Sequence, residues 1–207
     1  MIMAMKRLLL LFFAVSALLL SVGSASAQHN YGFIGGVTLS QTSVKDLNAG
    51  PMTQYHAGIT YRARLPHGFS IQPALIYNVK GAKTAIADLT EKVTVGYLEL
   101  PVSFQWGPDL ILFRPFIDIT PFVGYGLNNK YSTSVTGDVI NCWDGVARWE
   151  YGVGTGVGMD IWKMQFIARY NWNLGGLSKD GAVPGIAQMF KDGANLGGVT
   201  LSLSFLF

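Results

Sequence analysis

Charge is scarce in this chain. Lys, Arg, Asp and Glu make up only 13% of its 207 residues, about half the share expected of a soluble globular domain. The chain therefore has few side chains to keep a surface in water. Cysteine is all but absent: Cys142 stands alone, so no internal disulfide can form, and its polar, glycine-containing surroundings ("TGDVINCWDGV") mark it as a bystander rather than a nucleophile. Histidine is limited to His29, His56 and His67, isolated from one another and without metal-ligand spacing. After residue 27 no apolar run approaches the roughly 20 residues a spanning helix needs.

An excess of one charge sign is missing as well. Lys6 and Arg7 lie in an N-terminal stretch, "MIMAMKRLLLLFFAVSALLLSVGSASAQ", with a basic start, an apolar core from Leu8 to about Leu20 and small residues at Ala25-Ser26-Ala27. This is the pattern of a cleavable secretory signal peptide over residues 1–27, and the apolar run is short for a membrane anchor. Of the 15 basic residues, the two in the signal leave with it, so the mature domain, 28–207, carries 13 against 12 acidic ones. The sequence pI near 9 then gives no argument for a nucleic-acid partner.

What is present in quantity is alternation. Period 2 dominates, and eight extended segments are predicted at about 30–40, 54–65, 69–80, 93–106, 113–127, 148–161, 164–174 and 196–207. Each is near or above the 9–11 residues of a tilted membrane-crossing strand. Connections at about 66–68, 107–112 and 162–163 are short, with turn chemistry in "PHG" and "GPD". Those at about 41–53, 81–92, 128–147 and 175–195 are long. The layout predicts an all-β, eight-stranded antiparallel up-and-down transmembrane β-barrel in the outer membrane, with long external loops and both termini at the short-turn, periplasmic end.

Parity decides which face meets lipid. Every charged residue in the segments falls on one face, and the aromatic rings crowd the other. An eight-strand lumen is just wide enough to be filled by side chains. It cannot hold some eleven rings, whereas Gly152, Gly154, Gly156 and Gly158 suit its narrow interior. The apolar face is therefore expected to point into lipid. Two aromatic girdles follow: Tyr55, Tyr77, Tyr125, Tyr151 and Trp172 near the long loops, and Phe69, Trp106, Phe166 and Phe207 near the short turns. The closing strand, "TLSLSFLF", must pair with the first to leave no open edge in the bilayer.

The lumen side is expected to carry a structural charge network, with Arg62, Glu99, Asp118 and Arg169 near mid-height and Arg64, Lys80, Glu150 and Asp160 toward the ends. Buried charges need partners, so these four cations and four anions predict a plugged core rather than an ion path. No cofactor or metal site is expected. The glycine run "GVGTGVG" lacks the following helix and the Lys-Ser/Thr of a phosphate-binding loop, and reads as small lumen-facing residues. An enzymatic role is not expected. The one candidate is His56, placed near the outer rim, as the base of a lipid-modifying site; Ser132 and Ser134 lie in a loop at unfixed distance. A narrow channel or transport pore, and a soluble exported barrel for an apolar ligand, stand as further alternatives. Prolines at 73, 101, 115 and 121 interrupt the segments, and bulges or strand ends are expected there. The short stretch "GIAQMF" in the last long loop is expected to form at most a helical turn.

The stretches "YLELPVSFQWG", "RPFIDITPFVGYGL", "IARYNWNLGGL" and the last strand together resemble the PorT-like outer-membrane β-barrel proteins of Bacteroidetes-type bacteria. The resemblance runs over essentially the whole mature chain and implies an outer-membrane barrel. Some members of that family are linked to a protein-secretion and gliding apparatus. The terminal aromatic, Phe207, likewise resembles the C-terminal signal read by the outer-membrane assembly machinery. The expected partners are thus the outer-membrane lipid bilayer, that machinery, and a protein docking on the external loops at 128–147 and 175–195. The expected role is a structural or binding platform.

Overall fold

The computed structural model describes residues 28–42, 49–50, 52–86, 89–133, 137–140, 143, 148–174 and 196–207. The proposed signal segment, Cys142, Ser134 and the 175–195 loop with its "GIAQMF" stretch lie outside the described residues.

Eight long strands are present: β1 Gln28–Thr42, β2 Met52–Arg64, β3 Phe69–Ile86, β4 Leu89–Trp106, β5 Arg114–Thr133, β6 Trp149–Ile161, β7 Met164–Asn173 and β8 Leu196–Leu206. Each pairs antiparallel with its neighbours in sequence, and β8 closes on β1 from Gly32↔Leu206 to Thr42↔Leu196. The result is the closed, all-β meander that the alternation predicts. Closure leaves no sheet edge to bury, the condition for a strand structure in hydrocarbon. The shortest strand, β7, has 10 residues, or about 33 Å at 3.3 Å per residue, which at a tilt of about 40° spans the apolar band of about 25 Å that such barrels present to lipid.

The connections differ from expectation at the long-connection end. The described residues of the segment predicted as a long loop at 81–92 are strand: β3 and β4 pair without interruption from Val79↔Gly96 to Ile86↔Leu89. Likewise β5 runs on to Thr133 and pairs with a short strand, Gly137–Ile140, while Ala49–Gly50 adds to β3. The long-connection end therefore carries a projecting ribbon built on β3, β4 and β5. In "TAIADLTEKVTV" apolar and polar residues fall on both parities of the sequence, so the strand is hidden from a reading by alternation.

The prolines also depart from expectation. Pro73 pairs with Val102, Pro101 with Phe122 and Pro121 with Val153, and the register on either side of each is unchanged. Only Pro115, the second residue of β5, sits at a strand start. The register shift in the β4–β5 ladder lies elsewhere, between Gly96 and Tyr97. Each proline removes one donor; the pairing skips Ala74 and Leu75 beside Pro73 and Val102 and Ser103 beside Pro101, then resumes in the same register.

The two faces separate by parity as predicted. Tyr31, Phe33, Tyr55, Ile59, Phe69, Leu75, Phe104, Trp106, Ile117, Ile119, Val157, Leu201 and Leu203 are exposed on the outer surface. Inside lie Thr38, Arg62, Gln72, Glu99, Gln105, Asp118, Glu150, Asp160, Gln165 and Ser204, all buried. A barrel with its polar residues inside and its apolar ones outside is inverted relative to one dissolved in water, where the buried side would be the apolar one.

Three rings do enter the lumen: Tyr97, Phe116 and Phe122. The glycines of β6 make room for them. A Cβ on Gly152 would stand 2.5 Å from Phe122 Cζ, and one on Gly158 would stand 2.6 Å from Phe116 Cε2. Between these, Gly154 would meet Arg169 Cδ at 2.6 Å and Gly156 would meet Asp118 Oδ1 at 2.8 Å. The "GVGTGVG" run is thus the groove over which side chains of the two neighbouring strands, β5 and β7, lean into the lumen.

Candidate functional site

Strand parity aims the interior side chains at one another across a bore too narrow for bulk water, so each ionised group must find its partner there. They do so in three tiers along the barrel axis.

The tier nearest the long connections is built on Lys80 of β3. Its Nζ lies 2.7 Å from Glu99 Oε1 and 3.1 Å from Glu150 Oε1. Asn78 Nδ2 donates to both oxygens of Glu99, at 3.0 and 3.1 Å, and Asn173 Nδ2 donates to Glu150 at 3.0 Å. The ammonium also lies 4.7 Å from the centre of the Phe122 ring, within cation–π range.

The middle tier is the Arg169–Asp118 pair. Arg169 Nη2 and Nε donate to Asp118 Oδ2 at 2.6 and 3.1 Å, and Thr120 Oγ1 donates to the same oxygen at 2.6 Å. Ser103 Oγ accepts from Arg169 Nη2 at 2.9 Å.

The tier nearest the short turns gathers three guanidiniums on one carboxylate. Asp160 Oδ2 is 2.8 Å from Arg62, 3.2 Å from Arg64 and 3.2 Å from Arg114, while Gln165 donates to its Oδ1 at 2.9 Å. Asp109, in the β4–β5 turn, adds looser contacts to Arg114 at 3.4 Å and Arg64 at 3.7 Å. A ladder of uncharged groups connects this tier upward: Ser70 to Gln105, Gln105 to Gln72 and Gln72 to Thr60, each at 3.1 Å.

The four residues singled out at mid-height thus do not form one cluster. Asp118 and Arg169 meet, Glu99 belongs to Lys80 and Asn78, and Arg62 belongs to Asp160. Arg114 and the amides of Asn78, Gln105 and Gln165 complete the arrangement. Arg114 lies within the segment predicted at 113–127 and shares the lumen parity of Asp118, so its place is readable from the strand pattern. Which cation meets which anion is not readable, because it depends on strand stagger around the closed barrel.

His56 is deeply buried in the lumen, in register with Asn78 of the tier nearest the long connections. Its Nε2 is 2.9 Å from Ser202 Oγ and its Nδ1 is 3.2 Å from Thr38 Oγ1, which in turn donates to Asn78 Oδ1 at 3.1 Å. The hydroxyl beside its Nε2 comes from β8; Ser134 and the side chain of Ser132 lie outside the described residues. Both ring nitrogens meet hydroxyls, and Glu99 is linked to the ring through Thr38 and Asn78. A triad needs its acidic group directly on the imidazole. Between these groups remains a cavity of about 30 Å³, edged by His56, Asn78, Lys80, Glu99, Arg169 and Ser202, room for about one water molecule. Among the described residues no group of His, Cys, Asp and Glu has the arrangement of a metal site.

On the outer surface, Tyr55, Tyr151 and Trp172 are exposed toward the long-connection end, with Tyr77 and Tyr125 half-buried. Tyr125 packs edge-on against Trp149 at 5.0 Å between ring centres, and Trp172 against Tyr170 at 4.8 Å. Toward the short turns Phe69 lies 6.4 Å from Trp106, and Phe207 is 6.0 Å from Phe33, with Phe166 exposed on the same side. Tyr31, Trp149, Trp162 and Tyr170 add further exposed rings.

A sequence profile of the family described as "Outer membrane protein beta-barrel domain" matches residues 24–179. No curated protein matches. Among solved structures, Neisserial surface protein A is similar at 15% identity and a TM-score of 0.46, over 88% of this chain and 99% of that one. The attachment invasion locus protein Ail of Yersinia pestis, solved with the heparin analogue sucrose octasulfate, is similar at 12% identity and a TM-score of 0.44, over 87% of this chain and 99% of that one.

Proposed function

We propose a function that proceeds from one fact: this chain belongs to the outer membrane protein β-barrel domain family. It acts as a sealed scaffold that holds its external segments in place for a partner, without conducting solutes and without catalysis. The supporting observation is the lumen. Three ion-paired tiers and the Phe116 and Phe122 rings fill it, leaving a cavity of about 30 Å³. Rigid walls with variable connections are the usual carriers of recognition. The ribbon on β3, β4 and β5, together with the loops at 128–147 and 175–195, is where a docking protein is placed. Steady porin-scale current from the purified barrel in planar bilayers would end the sealed-scaffold reading; a silent membrane is expected.

The finer assignments rest on resemblance. The PorT-like strand patterns support a link to protein secretion, and the terminal Phe207 supports delivery by the outer-membrane assembly machinery after removal of a signal peptide. Cross-linking in intact cells tests the partner: recovery of secretion components is expected. The lipid-modifying alternative finds little support, because His56 and Ser202 face the interior, away from the acyl chains. A His56→Ala variant is expected to leave lipid turnover unchanged, and lost turnover in a folded barrel would reinstate that alternative.

A further inference from the structure

The β4–β5 turn is the chemical anomaly of the short-turn end. Four consecutive apolar side chains, Leu110, Ile111, Leu112 and Phe113, are exposed there, Ile111 at 103% and Leu112 at 81%. A turn in periplasmic water should be polar, and a run of four bare apolar residues is otherwise an aggregation hazard. The neighbouring turn between β6 and β7 has the same character at its tip. Trp162 is 81% exposed and holds a positive φ of 54°, with Lys163 Nζ 5.5 Å from the centre of its ring.

The root of the β4–β5 turn is held firmly. Gly107 N–H donates to Gly68 O at 3.1 Å, Arg114 Nη2 donates to the same oxygen at 2.7 Å, and Asp109 contacts Arg114 and Arg64. Leu110 N–H donates to Phe113 O at 3.2 Å, closing the tip on itself. The tip is thus a fixed apolar knob and not a frayed end. It is continuous with the lipid-facing band: Phe104 and Trp106 lead into it along β4, and Ile117 and Ile119 lead away along β5.

We infer that the Leu110–Phe113 knob lies in the acyl-chain region of the periplasmic leaflet, extending the membrane-facing band past the Phe69–Trp106 girdle on this side of the barrel. The occupant is lipid because the knob prolongs a surface that already faces lipid. Trp162 sits at the same boundary, as tryptophans do at membrane interfaces. The inference concerns the outer wall and stands apart from whether the lumen conducts.

The test uses the full barrel with Cys142→Ser and a unique cysteine at Ile111→Cys, labelled with an environment-sensitive fluorophore and placed in phosphatidylcholine–phosphatidylglycerol vesicles. Leu112→Cys is a second position should the first fail to fold. Gln28→Cys, exposed at the same end of the barrel, is the aqueous reference. The expected result is blue-shifted emission at 111 or 112, quenched several-fold more by brominated lipid than by iodide, with the opposite order at 28. Equal iodide quenching at 111 and 28 with no lipid quenching overturns the inference. So does a label that is shielded in cell envelopes yet open to iodide in pure lipid, which would assign the knob to a protein.

Discussion

Asp118 shows what a single interior residue is worth here. Its Oδ2 receives two bonds from Arg169 and one from Thr120, in a bore that water barely enters. Removing one partner of a buried pair strands the other charge and costs about 3–5 kcal/mol. Asp118→Ala is therefore expected to lower the unfolding free energy by that amount, read from urea titration of the refolded barrel. The double variant Asp118→Leu with Arg169→Met should recover most of it, since an apolar pair of similar volume leaves nothing stranded; a double variant as weak as the single one would argue against the pairing. Gly152 is the steric counterpart. A methyl there meets the Phe122 ring, so Gly152→Ala is expected to cost about 1–3 kcal/mol as overpacking, and a neutral result would mean that the ring has room to move.

At the scale of the element, alternation gives each strand two environments one residue apart. In β8, Leu201 faces outward between Val37 of β1 and Ala168 of β7, while Thr200 and Ser202 face the lumen. Leu201→Arg is expected to destabilise the barrel in bilayers by about 2–4 kcal/mol, the depth-dependent penalty for a cation near the hydrocarbon midplane. Unfolding measured in vesicles checks this, and a penalty near zero would place Leu201 outside hydrocarbon. Strand identity was legible at this scale wherever one face is greasy and the other is not. It failed at 81–92, where apolar and polar residues do not sort by parity and only backbone pairing defines the element. It failed again at Pro73, Pro101 and Pro121, because the loss of pairing is local and the ladder resumes in the same register beyond it.

At the scale of the whole molecule the decisive step is closure of β8 on β1. Deleting residues 196–207 opens β1 and β7 along their lengths, and unpaired backbone in hydrocarbon costs several kcal/mol per group. The truncated chain is expected to lose the heat-dependent shift in gel mobility that marks a folded barrel. A retained shift would show that seven strands close without the last.

The sequence by itself determined the inside-out distribution of polarity, the number and direction of the strands, and membership among proteins that meet lipid with their outer face. Those follow from a period of two and from which side chains a narrow bore admits, and both are properties of neighbours along the chain. Only the tertiary structure decided the pairings: Lys80 with Glu99 and Glu150, Arg169 with Asp118, three arginines on Asp160, and His56 with Ser202, 146 residues away. Parity aims a side chain inward but leaves its height and opposite number open. Those are fixed by the stagger of strands around a closed cylinder, which no local stretch of sequence contains.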